Sequence, residues 1–313
     1  MSIHKIILIV LIALLTLTID SNRKLYDTVM AYEQYTAGLE KKSIALDFGK
    51  IVYLENDVKS DETLLFVHGF CGNKDTWNRV LEALNDKYHA IVIDLPGHGE
   101  SVSKMTLNYT ITEQAKRLHA FSKAKNLQNF YLFGHSMGGA IALRYAGDHE
   151  ENLKALVLID SLGLEKTKSD GVKLVERSEK NPLYDVCTKE RLETLLHYSM
   201  YKPPYIPDVI KDAMLEEKCA RRDLEKILYE DMYEDVCCLD NIAKELHLPT
   251  LILWGDQDKM THIDNATLFH DTIKGSQLVI FKEVGHVPLL EDPVRTASEI
   301  DKFIREISYN FSN

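Results

Sequence analysis

Six short runs in this chain are apolar at every position: Leu64–Val67, Ala90–Ile93, Phe130–Phe133, Ala155–Ile159, Leu251–Trp254 and Leu278–Phe281. A strand with one wet face alternates apolar and polar residues, whereas a strand apolar on both faces must be covered on both. Such runs belong in the middle of a parallel sheet. Helical patterns lie between them, at about 76–86, 111–125, 137–149, 264–274 and 293–308. This alternation predicts a doubly wound α/β fold, a mostly parallel central sheet covered by helices. Ahead of it, Ser43–Leu46 and Ile51–Leu54 flank Gly49 and predict a hairpin. A polar helix over about 22–41 leads into that hairpin.

The rhythm breaks between 162 and 245, where no strand-like run occurs and Lys, Glu, Leu and Tyr recur at helical spacing. Strands resume after Pro249, so one core split by an inserted helical cap is simpler than two domains. The expected organisation is an N-terminal hydrophobic segment (1–24), a first core part (25–161), the cap (162–245) and a second core part (246–313). A net charge of −11 with no offsetting basic stripe argues against a nucleic-acid partner. The five cysteines, Cys71, Cys187, Cys219, Cys237 and Cys238, form no zinc-binding pattern. They read as small, separately packed thiols. A Cys187–Cys219 or Cys219–Cys237 bridge is the alternative in an exported chain.

Residues Ile6 to Ile19 are almost unbroken apolar sequence behind Lys5. The run is shorter than the ~20 residues that span a bilayer comfortably. It lacks a clean cleavage site, and Arg23-Lys24 follow. The favoured expectation is an uncleaved anchor that holds the protein at a membrane surface. A signal peptide, removed on secretion, is the alternative.

Gly134-His135-Ser136-Met137-Gly138 sits where a strand run meets a helical one. A Gly-x-Ser-x-Gly in that setting forms a sharp turn that lifts the serine clear of the sheet. A serine hydroxyl is a poor nucleophile and needs a base, which in turn needs an orienting acid. His286 follows the last strand run, on a loop able to fold over the sheet edge. Asp258, in Gly255-Asp256-Gln257-Asp258, is the favoured acid. Asp256 reads as a solvated turn residue, and Asp160 is a third candidate. Backbone N–H groups of Met137 and of Phe70, in His68-Gly69-Phe70, are the expected oxyanion donors. The turn from Asp94 to Ser101 reads as structural. No Gly-x-Gly-x-x-Gly or Walker pattern occurs, so no nucleotide cofactor is implied; no cofactor or metal is expected.

Taken together, His68-Gly69-Phe70, Asp94-x-Pro96-Gly97-x-Gly99-x-Ser101, Gly134-His-Ser-Met-Gly-Gly139, Gly255-x-x-Asp258 and Gly285-His286 resemble the α/β-hydrolase superfamily in order and content. The likeness covers roughly 60–310. With Lys74-Asp75-x-Trp77 and the N-terminal apolar run, it is nearest to the monoacylglycerol lipase-like branch. The resemblance implies an α/β-hydrolase fold with a helical cap. It also implies hydrolysis of carboxylic esters, lipid-derived ones among them, through an acyl-enzyme on Ser136. Cap residues Met200 and Tyr201, with Leu162, are candidate liners of the acyl pocket. A carbon–carbon bond hydrolase and a non-catalytic binding protein on the same fold are the alternatives. Oligomeric state is not readable from these residues.

Overall fold

All six apolar runs are strands in the computed structural model, which describes residues 22–236 and 239–312. They are β3 (Thr63–Val67), β4 (His89–Ile93), β5 (Phe130–His135), β6 (Leu153–Ile159), β7 (Thr250–Gly255) and β8 (Gln277–Phe281). The hairpin supplies β1 (Glu40–Leu46) and β2 (Gly49–Glu55), and all eight join one sheet in the order β1-β2-β4-β3-β5-β6-β7-β8. Pairs β1/β2 and β2/β4 are antiparallel, and the rest of the sheet is parallel.

Alternate residues of each strand feed two separate cores, as the two-residue period of a strand requires. Leu65, Val67, Leu132, Leu156, Leu158 and Ile252 face one side. There they meet α3 (Ile111–Ala124), α4 (Met137–His149) and α9 (Ile263–Thr272). Leu64, Phe66, Phe133, Val157 and Leu253 face the other, against α2 (Asn78–Leu84) and α11 (Pro293–Ser312). The chain leaves β3 for β4 on one side and returns to β5 on the other. This reversal opens a crevice at the carboxyl ends of β3 and β5. The loop after β3 and the turn holding Ser136 meet there.

Between β6 and β7 the described chain contains helices only: α5 (Asp170–Arg177), α6 (Lys189–Ser199), α7 (Asp208–Asp235) and α8 (Asp240–Glu245). The leading helix α1 (Asn22–Thr36) lies against α7, where Arg23 reaches Glu217 at 2.6 Å. It stops short of the expected residue 41. Gly38 takes φ +66°, which ends the helix, and Glu40–Lys42 pair with Tyr53–Glu55 instead. The expectation of separate thiols fails for two cysteines: Cys187 and Cys219 form a disulfide between the approach to α6 and the middle of α7. Cys71 is free. Cys237, needed for the other bridge considered, lies outside the described residues, as does the apolar run 6–19. Among the described residues no helix is long and apolar enough to cross a membrane.

Candidate active site

Ser136 joins β5 directly to α4, with φ 53° and ψ −118°. Side chains rarely tolerate that backbone, so the surrounding bonds must hold it. Its N–H donates to the Ile159 carbonyl at 2.9 Å. Its own carbonyl accepts from Gly139, Leu162 and Ala140 at 2.9, 3.0 and 3.3 Å. A Cβ on Gly134 would lie 2.3 Å from the Gly138 carbonyl oxygen, and one on Gly138 would lie 2.5 Å from the carbonyl oxygens of Val67 and His68. Both glycines are therefore required by backbone packing, since a carbonyl cannot swing aside as a side chain can.

The three residues predicted from sequence converge on this turn. His286 Nε2 lies 2.9 Å from Ser136 Oγ, and its Nδ1 lies 2.8 Å from Asp258 Oδ2. All three residues are buried. Asp258 is held by more than the histidine: Thr261 Oγ1 donates to Oδ2 at 2.6 Å, while the N–H groups of Met260 and Thr261 donate to Oδ1 at 2.7 and 2.9 Å. Burial alone would raise the Asp258 pKa, but the His286 ring and these donors hold it below the ordinary aspartate value.

The other two acids take different places. Asp256 turns away and accepts from the Glu283 N–H at 2.7 Å, which fixes the loop after β8. Asp160 is fully buried at the end of β6. Asp160, Asp258 and His286 each place a polar atom within 4.8 Å of the others'. Asp160 Oδ1 accepts from the Gly255 N–H at 2.9 Å, but Oδ2 has no donor to accept from. Burial first, and then the Asp258 charge, push its pKa well above the ordinary value. Burial beside the Asp258–His286 pair therefore favours the neutral form of Asp160.

The loop after β3 is locked in the same crevice. His68 Nδ1 donates to the Gly69 carbonyl at 2.8 Å, and its Nε2 accepts from the Leu95 N–H at 3.1 Å. Both bonds need a neutral ring, and burial lowers its pKa to about 4. Asp94 accepts from the Lys74 and Glu100 N–H groups at 2.7 and 2.9 Å, with Lys74 Nζ 3.2 Å away. The Asp94–Ser101 turn therefore fastens the Phe70 loop, a contact visible in sequence only as a turn. A Cβ on Gly69 would lie 3.0 Å from Ser136 Cβ, so the Phe70 backbone sits close to the serine. Met137 follows Ser136 as the first residue of α4, whose N-terminal N–H groups suit an anion.

His135, Thr261 and Glu291 also act on the site, and the sequence reading assigned them nothing. His135 Nε2 donates to the His286 carbonyl at 2.7 Å. Burial, and then the neighbouring His286, lower the His135 pKa to about 3, so the ring stays neutral. The suggested pocket liners are scattered. Leu162 packs against the main core, Met200 sits in a small cluster with Val186, Leu192 and Leu196, and Tyr201 is 40% exposed.

A doubly wound sheet, a strained serine at the β5–α4 turn and a buried histidine–aspartate pair define a class. The chain belongs to the alpha/beta hydrolase fold family, which matches residues 62–293. Lipase 3 of Moraxella sp. (strain TA144) is 37% identical over 294 residues, covering 92% of this chain and 90% of its own. Monoacylglycerol lipase abhd6-B of Xenopus laevis is 28% identical, covering 78% of this chain and 76% of its own. The crystal structure of a membrane phospholipase A, a bacterial virulence factor, superposes with a TM-score of 0.88 at 31% identity over 97% of each chain. The protein is a carboxylic ester hydrolase.

Proposed function

We propose that the protein hydrolyses lipid-derived carboxylic esters, such as monoacylglycerols, through an acyl-enzyme on Ser136. The observation that carries this reading is the continuous chain Ser136 Oγ to His286 Nε2 (2.9 Å) and His286 Nδ1 to Asp258 Oδ2 (2.8 Å) on a strained turn. His286 takes the Ser136 proton as Oγ attacks the ester carbonyl. The Phe70 and Met137 N–H groups receive the oxyanion, and His286 then protonates the departing alcohol. Water, deprotonated by the same ring, attacks the acyl-enzyme, and the serine recovers its proton as the fatty acid leaves. Asp258 keeps the ring in the required tautomer and balances its transient charge.

Residues 162–245 act as a cap that shapes the acyl pocket. Residues 6–19 hold the enzyme at a membrane surface, beside its substrate. The almost unbroken apolar character of that run supports this placement, and the Cys187–Cys219 bridge agrees with export to an oxidising compartment. Loss of the run by signal cleavage would leave a secreted enzyme with the same site. The test is a panel of monoacylglycerols and p-nitrophenyl esters of rising chain length, with wild type and Ser136→Ala in detergent. Turnover by the wild type alone, with fluorophosphonate labelling of Ser136, is expected. Activity confined to vinylogous diketones, or no labelling of Ser136, would overturn the proposal.

A further inference from the structure

The backbone around His286 shows who holds the catalytic base in place. The segment Gly285-His286-Val287 offers three N–H donors, none of which is spent within its own loop backbone. Glu291, the last residue of α10 (Pro288–Glu291), collects two of them. Its Oε1 accepts from Gly285 at 3.0 Å and Val287 at 3.3 Å. Its Oε2 shares the Gly285 N–H at 3.1 Å and accepts from the N–H groups of the exposed residues Tyr201 and Lys202, at 2.8 and 3.1 Å. Those two residues lie on the link between α6 and α7, in the cap. The third donor, the His286 N–H, bonds the Ser199 carbonyl at the end of α6, at 2.9 Å.

One carboxylate therefore binds four backbone donors, two from the catalytic loop and two from the cap. Charge-assisted bonds of this kind are roughly twice as strong as neutral ones. The contact leaves no slack. A Cβ on Gly285 would lie 2.5 Å from the Tyr201 nitrogen and 3.0 Å from the Met200 carbonyl carbon. Behind it, Val287 packs into the cap cluster of Val186, Leu192, Leu196 and Met200. The Cys187–Cys219 bridge ties the start of that cluster to α7. An outer ion pair, Lys202 Nζ to Glu283 at 2.8 Å, is exposed and adds little.

We propose that Glu291 is a positioning residue that couples the cap to the catalytic histidine, so that the α6–α7 link is a fixed part of the active-site frame. This rests on the reading of His286 as the base. The cap does not swing free at this edge, and a shift of the Ser199–Lys202 link moves the His286 ring. A misplacement of 1 Å at a reacting group costs about 10²-fold in rate.

The test compares Glu291→Ala and Glu291→Gln with wild type on p-nitrophenyl butyrate, full chain in detergent. Glutamine keeps one acceptor oxygen and replaces the other with an amide group that cannot accept, so it weakens the clamp without removing it. Each variant should lose kcat by about 10- to 100-fold with KM near the wild-type value. The downfield proton resonance of the His286–Asp258 bond should broaden or vanish. Each is then combined with Cys187→Ser/Cys219→Ser. Loosening the cap should lower kcat in wild type and have a smaller effect once Glu291 is gone. If Glu291→Ala fails to fold, Glu291→Gln carries the test. A folded variant with wild-type kcat, or effects that simply add in the double-mutant cycle, would overturn the clamp. Absence of ester turnover and Ser136 labelling in the wild type would instead sink the hydrolytic reading.

Discussion

Replacing Asp160 by asparagine should make the protein more stable near neutral pH. Asp160 is wholly buried near Asp258, with one oxygen bonded to the Gly255 N–H and the other without a hydrogen-bond partner. Its folded pKa is raised well above the ordinary value, first by burial and then by the Asp258 charge. In the unfolded chain it titrates near 3.9. Between these two values folding takes up one proton. Stability due to this group is therefore intact below the unfolded pKa and falls as pH rises toward the folded one. One proton corresponds to a loss of about 1.4 kcal/mol for each pH unit. Asparagine keeps an acceptor oxygen for the Gly255 N–H and has no proton to take up. The stability of Asp160→Asn relative to wild type should thus rise with pH above the unfolded value, by at most about 1.4 kcal/mol per pH unit, and level off at the folded pKa. Urea denaturation of both proteins at pH 5, 6 and 7 measures it. The amide also preserves the neutral partner of Asp258, so ester turnover should stay close to wild type. A stability difference that does not change with pH would mean that Asp160 is ionised when folded. Loss of turnover in the folded variant would mean that turnover needs an ionisable group at position 160.

Two further outcomes follow from backbone and covalent geometry. Reducing the Cys187–Cys219 bridge, which closes a loop with a sequence separation of 32, should lower unfolding stability by about 4 kcal/mol on the chain-entropy view. Denaturant midpoints with and without reductant, compared with Cys187→Ser/Cys219→Ser, check this. Gly138→Ala sets a methyl 2.5 Å from two backbone carbonyl oxygens of the β3 exit. It should cost on the order of 3 kcal/mol, the upper end for overpacking, and lower Ser136 labelling by a fluorophosphonate. A variant with unchanged midpoint and labelling would refute that account of the turn.

The parts of this molecule legible in sequence share one property: local pattern determines them. Leu64–Val67 and Ala155–Ile159 can be satisfied only by cover on both faces and read directly as central strands, whereas Leu278–Phe281, read the same way, forms the partly buried edge strand β8. Ser136 was legible because two glycines and a strand–helix change of period mark the turn. His286 and Asp258 followed from their places after the last two strands, since the carboxyl ends of parallel strands share one edge of the sheet. The boundary of α1 was missed because Gly38, a single residue, outweighs a helical pattern once Glu40–Lys42 find strand partners. The disulfide was left open because pairing depends on how α6 and α7 lie together, which spacing does not encode.

What sequence withheld is the layer that holds the reacting groups. His135, Asp160, Thr261 and Glu291 are ordinary polar residues in the chain, and nothing in their spacing sets them apart. Their roles come from backbone groups brought close by the fold: the His286 carbonyl for His135, the Gly255 N–H for Asp160, and four N–H donors from two distant segments for Glu291. A backbone donor is present at every residue, so the chain carries no mark of which donors will meet a given carboxylate. Where the loop after β8 crosses the α6–α7 link, one backbone bond joins them directly, His286 N–H to the Ser199 carbonyl, and the N–H groups of Gly285, Val287, Tyr201 and Lys202 converge on the Glu291 side chain. The support is built from side chains of several kinds: the carboxyl groups of Asp160 and Glu291, the neutral His135 ring and the Thr261 hydroxyl. The proposed hold on His286 lies in Glu291, so Glu291→Gln is expected to lower kcat while KM stays near the wild-type value.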